Sequence, residues 1–273
     1  MISDNQTWTI IKKELYQRRW ALFGFSLAAI LFILLYISIF PSFQKETAKL
    51  NDLFDAYPKA VLQAFNIDQL QFSTFEGYIS AEHFSFVWPL MAIFLALSLA
   101  GVGFAGEIEK GTMAFLLSQP VSRAKIYWAK YFSGILALTA FTTLSILLII
   151  PLAKIQNIEV NSVNVLKTAV LSLCFVWAVY SLAILVSSVT SEKNRTYFAL
   201  GGLLLIMYVA NVVSGLVTPL KSLKYVSFFN YYAPSKTLTT GVLPISSLII
   251  FCTVTVIAMI LGYILFSRRD ISV

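Results

Sequence analysis

The chain has 273 residues, of which 58% are hydrophobic and only 12% charged, and its mean hydropathy is +0.80. Those proportions exclude an ordinary soluble globular protein and indicate a polytopic membrane protein. The formal net charge of +7 is therefore read by position relative to the apolar runs, and no nucleic-acid partner is expected.

Residues 5–19 come first. Trp8, Ile11 and Leu15 share a helical face in an otherwise polar and basic stretch. The pattern is that of an amphipathic N-terminal interfacial helix, with Lys12 and Arg19 snorkelling. The plainer alternative is a positively charged flank. Six uncharged runs then reach the ~20 residues a crossing needs: 20–42, 84–106, 131–153, 168–191, 196–220 and 237–267, the last with a loop or helix lip up to Pro244. The first run is too long for a secretory signal, and no small-residue cleavage site follows Phe40.

Basic residues set the orientation. With the N-terminus inside, twelve Lys and Arg fall inside and eight outside. The expectation is a multi-pass plasma-membrane protein with both termini cytoplasmic. Cys174 and Cys252 lie in separate spans and read as apolar-like residues rather than a disulfide. Residues 41–83 form a long outer loop. Leu50, Leu53, Phe54, Tyr57 and Val61 follow helical spacing, which predicts one or two short helices on the outer membrane surface. The lone His83 reads as a polar edge residue of that loop, and no metal site is expected.

Gly101, Gly103 and Gly106 spell GxGxxG, but they lie at the end of a membrane span, without the strand, helix and acidic residue of a dinucleotide site. Close helix approach explains them better. Gly101 and Gly103, with Gly201 and Gly202 of the fifth run, are candidate helix-packing or dimer contacts. No GxxxxGK[ST] phosphate loop occurs. The chain is expected to carry no cofactor; ATP and Mg would sit on another subunit.

The outer aromatic loop 218–236 offers Phe228, Phe229, Tyr231 and Tyr232. They read as an interfacial aromatic belt or as an outer gate over an exit path. No charge interrupts the core of any expected span, which argues against an ion-coupled transporter. An intramembrane enzyme is also disfavoured, because no nucleophile–histidine or paired-carboxylate constellation lies in a span.

The most informative stretch is 107–130, between the second and third runs. Glu107, Glu109 and Lys110 open it, Gly111 permits a sharp turn, and Thr112 through Leu117 carry a short apolar face that includes Phe115 and Leu116. Pro120 ends that face, and Arg123, Lys125 and Lys130 follow. The acidic opening complements a helix N-terminus. A short, rigid, charged hairpin between two spans suits transmission of movement from a cytosolic partner; a purely topogenic loop is the bland alternative.

Glu107 to Thr112, followed by Leu116, Leu117, Ser118, Gln119, Pro120, Val121, Ser122 and Arg123, resembles the signature of the membrane subunits of type-two family ABC exporters. The layout is similar over nearly the whole chain: six spans, a basic N-terminal helix, a long first outer loop with Gly77 and Tyr78, an aromatic outer loop ending near Pro234, and a tail through Arg268, Arg269 and Asp270. The resemblance implies an all-α fold with six transmembrane helices and a cytoplasmic coupling helix between spans two and three. It implies a cytosolic ABC ATPase partner contacted through Glu107, Glu109, Gly111, Thr112, Phe115, Leu116, Pro120 and Arg123. It also implies a homodimer, or pairing with a related permease, within membrane lipid. The expected function is ATP-driven export of hydrophobic or amphipathic cargo such as a drug or antimicrobial peptide. Peptide sensing or immunity, and sodium or lipid efflux, are the alternatives within that family.

Overall fold

The computed structural model describes residues 2–45 and 74–270. The surface helices expected around Leu50 to Val61 lie outside the described residues. Among the described residues six helices are long and apolar enough to cross a membrane: Thr7–Gln44, Phe75–Gly103, Arg123–Ile155, Ser162–Val189, Lys193–Leu216 and Ile245–Arg268. They are called spans one to six below. Both described ends lie on one side of this six-span array.

Three boundaries differ from expectation. Residues 5–19 do not form a separate interfacial helix. Span one belongs to a single helix, α1 (Ile2–Lys45). No glycine or proline stands before Gly24 to break it, and the Glu14–Arg18 pair ties adjacent turns. Span two starts at Phe75 rather than at residue 84. Thr74 caps it by accepting from the Gly77 N–H at 3.2 Å. Its second segment, Ser80–Val87, is π-helical. This moves His83 from the expected loop edge into the interior. His83 is fully buried, with ring centroids 5.4 Å from Tyr36 and 5.2 Å from Phe84. Span three starts at Arg123 rather than at residue 131. Ser122 caps it by accepting from the Lys125 N–H at 3.3 Å. Lys125 and Lys130 thus stand in its first two turns.

Spans two and four form the buried centre, while spans one, five and six expose most of their surface. Tyrosines seated against glycines fix the centre. A Cβ on Gly134 of span three would lie 2.0 Å from the Tyr180 hydroxyl of span four. One on Gly262 of span six would lie 2.6 Å from the Tyr127 hydroxyl of span three. One on Gly101 of span two would lie 2.2 Å from the Tyr197 ring of span five. The hydroxyls then satisfy backbone and side-chain acceptors, as polar groups in a membrane interior must. Tyr127 donates to the Met259 carbonyl at 2.8 Å, and Tyr131 pairs with Ser181 at 2.7 Å.

At the end opposite the termini, a 3-10 helix Thr218–Val226 and the short helix Phe228–Tyr231 fold back along span five, and the short helix Pro234–Thr240 packs on span four. Asn164 donates to the Leu238 carbonyl at 2.9 Å, and Lys167 to the Gly241 carbonyl at 2.8 Å. Gly241 ends its helix with φ 68°, the left-handed geometry that glycine adopts without a Cβ penalty.

Candidate functional site

Span two breaks at Phe104, continues as Ala105–Glu109, turns at Gly111, and folds into a second short helix, Thr112–Leu117. Gly111 has φ 72°, so it reverses the chain where an L side chain would be strained. Thr112 is exposed and donates to the Glu107 carbonyl at 3.3 Å. Met113 is buried, Leu116 half-buried and Pro120 exposed. Phe115 is 72% exposed. The hairpin therefore has one bare aromatic at its tip, above a packed methionine.

The charged residues of the stretch point elsewhere. Glu107 forms an ion pair with Lys130 at 2.9 Å. Glu109 accepts from the Lys193 N–H at 2.9 Å, so it caps span five, whose own N-cap residue Glu192 makes no side-chain cap bond. Arg123 donates to the carbonyls of Ser267 and Arg269 at the end of span six. Sequence reasoning placed all three on an ATPase. Within the chain each also stands beside an orphan backbone group or an opposite charge that another span brings up.

Lys130 is 2% exposed and also meets Glu14, itself 2% exposed, at 2.5 Å. The second Glu14 oxygen accepts from Arg18 at 2.9 Å, and Arg18 also donates to the Leu99 carbonyl. Two carboxylates and two cations from spans one, two and three thus join into a neutral quartet with Glu14 and Lys130 buried at its middle. Glu14 and Lys130 lie outside the uncharged cores of spans one and three, on the polar ends of those helices, and are nevertheless buried. They are tolerated because they are paired. The i,i+4 spacing of Glu14 and Arg18 was visible in the sequence; Lys130 as their partner was not.

Arg269 was read only as part of a basic tail. It donates to the carbonyls of Ser188 at 2.9 Å and Thr190 at 2.7 Å, and to the Ser191 hydroxyl at 2.6 Å. Partial burial lowers its pKa from the ordinary value. The tail thereby closes the end of span four, where the last carbonyls lack helical partners.

The packing and gate candidates divide. Gly101 is buried under Tyr197 of the same chain, and Gly103 is buried near Ile184 and Arg18. Both therefore serve helix packing within the chain, the first of their two readings, rather than contact with a second copy. A Cβ on Gly201 would lie 4.0 Å from Leu97, and one on Gly202 would meet nothing within 4 Å. Phe228 and Tyr232 are buried. Tyr232 stacks on Phe175 at 4.5 Å and pairs with the Ser172 hydroxyl at 3.1 Å. These two belong to the packed core rather than to an exposed lid. Phe229 packs at 5.3 Å on Tyr208, and Tyr231 donates to the Tyr225 carbonyl at 3.1 Å. Free Cys252 is exposed and Cys174 half-buried.

Six membrane-length helices, with a braced hairpin between the second and third, define a multi-pass membrane protein among the described residues. A family profile described as ABC-2 family transporter protein matches residues 8–271. The chain belongs to that family and is an ABC transporter permease. A search of curated proteins returned no match.

Proposed function

We propose that this permease exports hydrophobic or amphipathic cargo, driven by ATP that a separate cytosolic ABC ATPase binds with Mg and hydrolyses. The observation that carries this reading is the hairpin tip. Its charged flanks are engaged within the chain, and Phe115 is left bare on a rigid support. A buried aromatic anchor contributes ~2 kcal/mol or more to an interface. An exposed ion pair contributes about 0–1 kcal/mol. Phe115, with Leu116 at its side, is therefore the assembly contact, and Glu109 braces span five behind it.

The cargo class rests on the exposed span faces. An apolar groove of about 380 Å³ lies between spans one and two, lined by Trp20, Gly24, Phe25, Ala28, Phe32 and Met91. The buried charges are mutually neutralised and offer no ion path. In this reading the hairpin and both termini are cytoplasmic, the membrane is the plasma membrane, and two permease copies share the pathway.

The test is affinity purification of the tagged permease from its host membranes. Phe115→Ala should reduce the co-purified ABC ATPase at least tenfold, with Glu109→Gln near wild type. Inverted vesicles should accumulate the amphipathic dye Hoechst 33342 only with ATP, and not with Phe115→Ala. An undiminished ATPase yield with Phe115→Ala would remove the hairpin from the interface.

A further inference from the structure

The break in span two is held from both sides by groups the docking role does not use. At Phe104 the helix is interrupted for one residue, whose φ of −111° with ψ −60° is wide of the usual helical value though still right-handed. Ser187 of span four donates to the Ala100 carbonyl at 2.7 Å and accepts from the Ala105 N–H at 3.1 Å. Arg18 of span one donates to the Leu99 carbonyl. One turn beyond the break, Glu107 meets Lys130, Lys130 meets Glu14, and Glu14 meets Arg18. The Lys130 ammonium also lies 5.9 Å from the Phe104 ring. The backbone of Lys130 is held as well, since its carbonyl accepts from Tyr180 of span four at 3.3 Å.

We infer that Lys130 is the positioning residue of energy coupling. Through Glu107 and Glu14 it locks the hairpin to span one and span three, so that displacement of the hairpin by the ATPase moves α1 with it. This rests on the export reading above and adds the route by which the hairpin acts.

The physical reason lies in stiffness. A lone helix break absorbs an applied displacement by bending. Here the segment beyond the break is tied to span one by two successive short, buried ion pairs. In a low-dielectric setting these are far less screened than surface pairs. The quartet is neutral as a whole, so it is satisfied only while its members stay together. Separating Glu107 from Lys130 would leave a charge without its partner in a buried site. Hairpin, span one and span three therefore move as one body, and the Arg18–Leu99 bond carries that movement on to the part of span two before Phe104.

The experiment uses the complex of the permease with the ABC ATPase that co-purifies with it, in a Cys174→Ala, Cys252→Ala background. Nitroxides are placed at Trp8→Cys on α1 and Arg268→Cys at the end of span six, both exposed. The distance between them is measured by pulsed EPR in nucleotide-free and vanadate-trapped states. With the quartet intact, the distribution shifts on trapping. Glu107→Gln keeps the shape and the Glu14–Lys130 pair while removing the tie to the hairpin, and should cut the shift at least fivefold with the ATPase still bound. Lys130→Arg, which preserves the charge, should retain the shift. Lys130→Gln serves as a second severing variant, checked by monodisperse elution. A shift that survives in both severing variants, or no shift with the quartet intact, overturns the inference. Loss of the ATPase from the Glu107→Gln complex also overturns it, making Glu107 a docking residue. If no ABC ATPase co-purifies with the wild-type permease, the export reading itself falls, and this inference with it.

Discussion

Gly134 and Gly202 are both helical glycines, and their surroundings give them opposite roles. Gly134 faces Tyr180, a buried side chain whose hydroxyl would lie 2.0 Å from a new Cβ. A buried ring held by its neighbours has nowhere to withdraw, so Gly134→Ala should destabilise by ~1–3 kcal/mol through overpacking. Gly202 meets nothing within 4 Å, and Gly202→Ala should stabilise the helix by up to about 1 kcal/mol. Thermal unfolding in detergent should show the midpoint falling for the first and holding or rising for the second. The sequence marked Gly101, Gly103, Gly201 and Gly202 as small-residue contacts. What fills the space beside each was illegible, because Tyr197 approaches Gly101 from a span nearly a hundred residues away. The same limit hid the quartet. Glu14 and Arg18 were legible as a local pair, whereas Lys130 is joined to them only by the packing of span three on span one.

At the scale of elements, the number and type of helices were legible and their ends were not. Apolar runs of membrane length report themselves through hydropathy. Capping and continuity depend on neighbours that hydropathy does not see. α1 has 44 residues, or roughly 66 Å at the helical rise, against a hydrocarbon core of about 30 Å. Its polar start therefore extends beyond the bilayer, as a straight continuation that Lys130 holds at Glu14. Span five depends on a remote cap in the same way. Lys193 donates its N–H to Glu109, across a loop the sequence reads as separate. Glu109→Ala should cost about 1 kcal/mol, the usual cost of a lost N-cap, and Glu109→Gln should retain most of that. Hydrogen exchange should locate the loss in the first turn of span five. A loss confined to the Thr112–Leu117 hairpin would show that the cap is not the role of Glu109.

For the whole molecule, the orientation proposed from the basic residues has a direct reading in intact cells. In a background without native cysteines, Gln119→Cys on the hairpin should resist a membrane-impermeant maleimide. Lys221→Cys at the opposite end should react. Labelling of Gln119→Cys from outside would invert the topology and detach the hairpin from any cytosolic ATPase.

The proposed pairing of two copies can be tested on the exposed faces of the chain, which narrow where a second copy could sit. Spans two and four are occupied internally, and Gly101 and Gly103 are covered. Span five is largely exposed, with Phe198 at 81% and Ile206 at 67%, and Gly202 opens onto space. Lipid chains are as apolar as these side chains, so close packing rather than hydrophobicity must hold helices together there, and a glycine permits the closest approach. A Cβ on Gly202 would meet nothing within 4 Å, which makes Gly202→Trp a probe of pairing. If the span-five face is the dimer contact, native mass spectrometry in mild detergent should show a dimer for the wild type and a monomer for Gly202→Trp, at unchanged thermal midpoint. A dimer that persists with Trp at this position would move the contact to the exposed faces of span one or span six.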